Sequence, residues 1–286
     1  MKKVLAATVT WNRKWMVEKA ISSWLELVPS NLWSLYIVDN GSEDGTAEWV
    51  AELARSFDFI HAILLDVNLG TAVALNLAWS QAEEGQHRIK ADSDVVVNTP
   101  GFLEKMIECL DAMPKLGIIG LRRKDLIENP YHKDPWYRSL YRDLPLPSGE
   151  IAHLEVVNHV MGTFTMYNET TTKDFAYLYQ MQDEGSVYGL DDSMACYRMM
   201  ALGFKRAFLR GWDDVVVDID HIDPGEGDGK DKRNSEYTLW KQQQAAKWMP
   251  RYKEIVKDYV NGNRSSYYGA EYDFAAAGKH IKEVIP

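Results

Sequence analysis

Cysteine is scarce in this chain: Cys109 and Cys196 are the two among 286 residues. They are too few for a disulfide framework or a cysteine-rich zinc site, so two reduced and buried thiols are expected. Long hydrophobic runs are lacking as well. No stretch approaches the roughly 20 apolar residues that a membrane span needs. The opening Met1-Lys2-Lys3 is basic, but the apolar run Val4 to Val9 passes straight into polar Thr10-Trp11-Asn12-Arg13, so no signal peptide is expected. An excess of positive charge is absent too, because the formal net charge is -10. Such a field repels polyanions, and no nucleic acid is expected as a partner. Internal repeats and long low-complexity tracts are missing. A cytoplasmic protein is expected, with peripheral contact to a membrane left open. Composition is silent on oligomeric state.

What is present is core. Hydrophobic residues make up 46% of the chain, enough for one large domain or one domain with an appendage. Val4 to Val9, Leu32 to Val38, Ile60 to Leu65 and Arg88 to Ala91 have the short, apolar pattern of buried strands. Trp15 to Leu27, Thr46 to Phe57 and Thr71 to Ala82 have helical spacing between them. Alternating strand and helix predicts a mainly parallel sheet with helices on both faces. Ligands of such sheets sit beyond the carboxyl ends of the strands. Four polar clusters fall at those ends: Thr10-Trp11-Asn12-Arg13, Asp39-Asn40, Asn68-Leu69-Gly70 and Asp92-Ser93-Asp94.

After Pro100 the pattern changes. Helices are expected over Phe102 to Met113, Asp191 to Leu202, Glu236 to Trp248 (ended by Pro250) and Tyr252 to Val260, and strands over Leu116 to Leu121 and Val156 to Tyr167. Residues 122 to 150 predict an irregular surface excursion, and Asp213 to Lys232 an acidic, glycine-bearing loop or lid. Three regions follow: 1–99, 100–235 and a helical extension, 236–286.

Asp92 and Asp94 stand at a strand junction. A bend after the first would let one reach a divalent metal, since hard cations take carboxylate oxygens and bridge to phosphate. An isolated Asp-x-Asp is more often a solvated turn, and its weight comes from the aligned strand ends.

The run Ile37-Val38-Asp39-Asn40-Gly41-Ser42-Glu43-Asp44-Gly45-Thr46 resembles the signature of family-2-type glycosyltransferases with the GT-A fold. Val9 to Arg13, Asn68 to Asn76 and Lys90 to Asp94 resemble further segments of that family, in order. The resemblance implies a Rossmann-like, mixed but mainly parallel α/β sheet with a C-terminal acceptor-side region. It implies a nucleotide-diphospho-sugar donor, Mn2+ or Mg2+, a glycan or other hydroxyl acceptor, and inversion at the anomeric centre. Thr10 and Asp39 would contact the nucleotide base or ribose, Asp92 the ribose and metal, and Asp94 the metal directly. Arg13 either reaches the diphosphate or is a surface arginine. Gly70 either admits the nucleotide close to the backbone or serves a turn. Asn76 lies in a helix, where packing competes with binding.

Tyr188 to Arg198 resembles the family's acceptor-side segment, with Asp191 in place of the usual Glu and Met194 in an often acidic position. Asp192 is the implied base, with Asp191 second; both also suit a helix N-terminus. His221, in Asp220-His221-Ile222-Asp223, is a third metal-ligand candidate. Asp218, Asp220 and Asp223 do not match a calcium loop, and Gly225, Gly227 and Gly229 suggest a mobile lid. Trp136, Tyr137, Trp212 and Trp240 are candidates for stacking on a sugar, each outweighed by a core role. The alternatives are a sugar nucleotidyltransferase, disfavoured by the lack of a basic glycine-rich phosphate loop, and a non-catalytic nucleotide-sugar or glycan-binding module. A glycosyltransferase acting on modified nucleic acid fits the charge poorly.

Overall fold

The computed structural model describes residues 3–122, 139–161, 163–179, 191–212, 215–218, 232–263 and 274–286. The apolar runs become β1 (Val4–Thr10), β2 (Trp33–Asp39), β3 (Ile60–Leu65) and β4 (His87–Asp92), parallel neighbours in the order β3-β2-β1-β4. Between them run α1 (Lys14–Leu27), α2 (Thr46–Ser56) and α3 (Thr71–Trp79). The sheet grows outward from β1 in both directions, so the strand order reverses between β1 and β4. A crevice opens at such a reversal.

Beyond β4 come β5 (Val95–Val97), α4 (Phe102–Ala112), β6 (Leu116–Gly120), β7 (Ser139–Pro145), β8 (Ile151–Val157) and β9 (Phe164–Tyr167). A single turn, α5 (Thr172–Phe175), precedes α6 (Asp191–Ala201), β10 (Lys205–Arg210) and β11 (Val216–Asp218). Then follow α7 (Lys232–Val260), α8 (Phe274–Gly278) and β12 (Ile281–Ile285). Among the described residues, ten strands share one sheet, ordered β12-β3-β2-β1-β4-β9-β6-β10-β8-β7, while β5 pairs with β11. Residues on both sides of position 100 therefore build a single sheet.

Two apolar layers cover it. One contains Trp24, Trp33, Phe102 and Phe164; the other contains Leu75, Trp79, Cys196, Met199 and Ile255. Both cysteines are buried and free, and burial pushes each thiol up to about 12.

Four local expectations change. The expected strand Val156 to Tyr167 is two strands, β8 and β9, and Gly162 between them lies outside the described residues. The excursion over 122–150 ends in β7, an edge strand paired with β8. Pro250 sits inside α7 rather than ending a helix. Proline removes one helical hydrogen bond there, but buried Ile255 and Tyr259 pin the following turns to the core. The last residues add β12, antiparallel to β3, so the C-terminal segment is not wholly helical. Among the described residues, no helix is long and apolar enough to cross a membrane.

Candidate active site

The register brings the polar strand ends together. Thr10 stands opposite Asp39, and Val9 opposite Asp92. Thr10 and Asp39 are buried, and among the described residues Thr10 Oγ1 and Asp39 Oδ1 have no hydrogen-bond partner. Asp39 Oδ2 accepts the Ser42 N–H at 3.0 Å. Burial is the largest influence on Asp39 and raises its pKa; hydrogen bonds from Ser42 and Gly41 oppose it, and Asp44 adds to it. A buried acceptor with nothing to accept from is costly unless a ligand supplies the donor.

The loops around this pair are braced by short polar side chains. Asn12 takes a positive φ of 52°; its N–H donates to Ser42 Oγ at 2.9 Å and its side-chain oxygen accepts the Glu43 N–H at 2.8 Å. Asp44 accepts the N–H groups of Thr46 and Lys14, each at 3.1 Å, tying the start of α2 to the start of α1. Asn40 donates to Asn68 and accepts from the Leu69 N–H, both at 2.9 Å. At Gly41, φ is +78° and an added Cβ would meet the Val67 backbone at 3.0 Å. Gly70 has φ 85° and ψ 163°, a conformation open almost solely to glycine. The turn requirement therefore explains Gly70 without a ligand.

The Asp92-Ser93-Asp94 turn is held from below by α1. Fully buried Trp24 donates its indole N–H to the Val95 carbonyl at 2.7 Å, and Ser23 Oγ accepts the Val97 N–H at 3.0 Å. From the other side, β11 pairs Asp218 with Val95, next to Asp94. Asp94 is buried, and Arg13 donates to its Oδ2 at 2.8 Å. Arg13 is thus a mostly buried partner of Asp94, not a free surface arginine. Burial pushes Asp92 up to about 6; Lys90 opposes this, while Asp94 and Asp191 add to it.

The second cluster forms where α6 begins. Lys90, buried on β4, places its Nζ 3.2 Å from Asp92 Oδ1 and 3.2 Å from Asp191 Oδ2. Burial by itself would lower the Lys90 pKa, but Asp191, Asp92 and Asp192 outweigh it and raise it well above the ordinary value. Asp192 Oδ2 lies 3.7 Å from His159 Nε2, which also meets Ser193 Oγ at 3.1 Å. Burial works to raise the Asp192 pKa; the His159 ring, Lys90 and the Ser193 N–H together hold the carboxyl well below its usual range. Asp191 is pushed upward by burial and by Asp192, with Lys90 opposing. Cys196 Sγ accepts the Val160 N–H at 3.3 Å and so clips α6 to the segment bearing His159. Lys90 and His159 were not singled out in the sequence. Neither has a local signal beyond a lysine inside an apolar strand.

Asn76 has another job. It is fully buried; its amide donates to the Leu178 carbonyl at 2.8 Å and accepts the Leu178 N–H at 2.9 Å. One amide N–H and the amide oxygen are engaged with the Leu178 backbone, so the packing role is the one observed. Arg88 and Arg198 reach the same stretch, Arg88 at the Ala176 carbonyl and Arg198 at those of Phe175 and Tyr177. Asn76→Leu is expected to cost roughly 2–4 kcal/mol of stability, because two buried backbone groups lose their partners. Chemical denaturation measures this, and an unchanged midpoint would refute it.

Among the described residues, no group of three or more His, Cys, Asp or Glu side chains is gathered to hold a metal. His221, Asp220, Asp223, Gly225, Gly227, Gly229, Trp136, Tyr137 and residues 188–190 lie outside the described residues, as does the side chain of Trp240. Asp92 and Asp94 offer hard carboxylate oxygens, and Asp94 already accepts a cation in the form of Arg13.

The model for Glycosyl transferase family 2 matches residues 6–203. The chain belongs to that family. The glycosyltransferase is 27% identical over 203 residues to TuaG of Bacillus subtilis (strain 168), named for teichuronic acid biosynthesis; the match covers 69% of this chain and 79% of TuaG. It is 30% identical over 172 residues to poly-beta-1,6-N-acetyl-D-glucosamine synthase of Staphylococcus epidermidis, covering 58% of this chain and 40% of the synthase. The glycosyltransferase therefore matches less than half of that longer relative. Among solved structures, mannosyltransferase PcManGT from Pyrobaculum calidifontis, in complex with GDP-Man and Mn2+, gives a TM-score of 0.58 at 18% identity, over 89% of this chain and 68% of that one. TarS 1-349 of S. aureus, in complex with UDP-GlcNAc, gives 0.55 at 16% identity, over 76% and 58%. These two likenesses carry the fold alone, and it is the GT-A fold expected from sequence. Family membership makes the protein an enzyme and sets aside the nucleotidyltransferase and binding-module alternatives.

Proposed function

We propose that the crevice between β1 and β4 binds a nucleotide-diphospho-sugar and that the sugar passes to an acceptor hydroxyl with inversion. The observation that carries this reading is the pair of buried acceptors Thr10 Oγ1 and Asp39 Oδ1, without a partner among the described residues, beside the Asp92-Asp94 turn. A carboxylate accepts from the ring N–H of uracil or guanine. UDP-GlcNAc and GDP-Man, named for the two structural relatives, offer one such base each. Exposed Trp11, next in the chain to Thr10, has ring area free for stacking.

Asp92 and Asp94 suit a divalent cation such as Mn2+ or Mg2+, and Arg13 on Asp94 marks the place as one that takes positive charge. His221, three residues beyond Asp218, is a third candidate ligand. When bound, the cation neutralises charge on the departing diphosphate. Once released from Asp94, Arg13 would serve the same phosphates.

Asp192 is the proposed base. Its side chain is more open than that of Asp191, 28% against 12% exposed, and Asp191 is taken up by Lys90. The acceptor oxygen attacks the anomeric carbon from the face opposite the diphosphate. As the new C–O bond forms and the old one breaks, the bonding pair leaves with the nucleoside diphosphate and the hydroxyl proton passes to Asp192. Low basicity suffices, because the attacking oxygen becomes acidic as it gains positive charge. Residues 1–99 would then supply the donor side and 100–235 the acceptor side.

Thermal shift with UDP-GlcNAc and GDP-mannose, each with and without Mn2+, tests the reading. One of them is expected to raise the Tm by about 5 °C at a hundredfold excess over its Kd, with a smaller rise in the Asp39→Ala variant. No shift with any nucleotide-sugar tried, or an equal shift in Asp39→Ala, would count against it.

A further inference from the structure

We propose that Lys90 is a positioning residue, joining the donor-side carboxylate Asp92 to the acceptor-side carboxylate Asp191 and so setting the gap across which the sugar moves. The inference rests on the assignment of the donor and acceptor sides above.

Lys90 occupies an interior strand. Its register neighbours are Ala7 on β1 and Thr165 on β9, and β4 is flanked on both edges. An ammonium at such a place is expensive, and an apolar side chain of similar length would pack there without a charge to balance. Two carboxylates that converge on it, each 3.2 Å from Nζ, offset this cost. One comes from the end of its own strand. The other comes from the first turn of α6, which is remote in sequence and reaches the site only through the fold.

The comparison with Arg88 sharpens the point. Arg88 lies two residues earlier and on the same face of β4, equally buried, yet it donates to a backbone carbonyl, that of Ala176. Arg88 fastens chain to chain, whereas Lys90 fastens charge to charge. A compact ammonium with three donors can hold two carboxylates at once, where a planar guanidinium favours one in a fixed fork.

Geometry explains why this would reach the chemistry. Asp191 and Asp192 share the first turn of α6, so whatever holds Asp191 also orients Asp192. Without Lys90, Asp92 and Asp191 face each other unscreened, with Asp94 and Asp192 adding to the repulsion. The start of α6 would retreat from the strand end. A displacement of about 1 Å at a reacting centre can cost about a hundredfold in rate.

The test compares Lys90→Met and Lys90→Arg with the wild type, alone and combined with Asp191→Asn. The readout is release of nucleoside diphosphate from UDP-GlcNAc or GDP-mannose with water as acceptor, so no acceptor need be known. Lys90→Met is expected to lower kcat about a hundredfold while the KM for the nucleotide-sugar stays within about threefold. Lys90→Arg should recover part of the loss. In the Asp191→Asn background the same Lys90→Met change should cost under about threefold, because Asp92 then faces no second charged carboxylate across the gap. Should Lys90→Met fail to fold, Lys90→Gln carries the same expectation. A folded variant with kcat near that of the wild type would overturn the proposal, as would an undiminished hundredfold loss in the Asp191→Asn background. A wild type that binds and cleaves no nucleotide-sugar would instead sink the donor assignment, so the two failures are distinct.

Discussion

Replacing Asp192 with asparagine is expected to lower turnover by about 10²–10⁴-fold, the range that general-base catalysis supplies. Nucleotide affinity should stay within a few-fold, since Asp192 stands at the start of α6 and not at the ends of β1 and β2. Asparagine keeps the shape of the side chain and can still take up the Ser193 N–H that Asp192 Oδ1 accepts at 2.7 Å. Loss of turnover therefore reports on the missing proton acceptor and not on a broken helix start. The His159 side chain gives an internal control. It approaches Asp192 at 3.7 Å but bonds Ser193 Oγ at 3.1 Å, so His159→Gln should cost much less than Asp192→Asn. Steady-state kinetics on both variants decides the matter. An Asp192→Asn enzyme at full speed would remove Asp192 from the chemistry and leave Asp191 as the remaining acid of that turn.

Asp94→Ala is the second large effect. Turnover is expected to fall about a thousandfold, equivalent to about 4 kcal/mol of transition-state stabilisation. The variant should also lose any rise in Tm that Mn2+ adds in the presence of a nucleotide-sugar. The structure makes the second half of this prediction specific. Arg13 holds Asp94 Oδ2 at 2.8 Å, so a cation held by this carboxylate would compete with the guanidinium for its charge. Binding of Mn2+ alone should therefore be weak in the wild type and stronger in Arg13→Gln, as calorimetry would show. Removing Mn2+ with a chelator should reproduce the kinetic defect of Asp94→Ala. Wild-type turnover untouched by chelation would refute the metal assignment, whatever the fate of the aspartate variant.

The strand-end cluster of Thr10, Asp39 and Asp92 was legible because its signals are local. Strand periodicity located β1 to β4 to within a residue or two, since burial on both faces demands a continuous apolar run. The polar residues that end those runs, Thr10, Asp39 and Asp92, then had to share one edge of a parallel sheet, and the register places them there. The signature from Asp39 to Thr46 is built from contacts within a few residues, such as Asp39 with Ser42 and Asp44 with Thr46. Local contacts leave local patterns. The edge strands β7 and β12 were illegible for the opposite reason. An exposed edge strand carries mixed polarity, and its pairing is fixed by a partner elsewhere in the chain.

By itself, then, the sequence determined the α/β class, the gathering of polar residues at the strand ends and the identity of the carboxylates among them. Only the tertiary structure decided how those carboxylates are balanced. It placed Arg13 on Asp94, His159 against Asp192, and Lys90 between Asp92 and Asp191. It also gave Asn76 a packing role, through two hydrogen bonds to the Leu178 backbone. The physical reason is the same in each case. A buried charge or amide needs a partner, but the low dielectric that enforces the need is created by the packing of distant segments, so the pairing is written in no single stretch of chain.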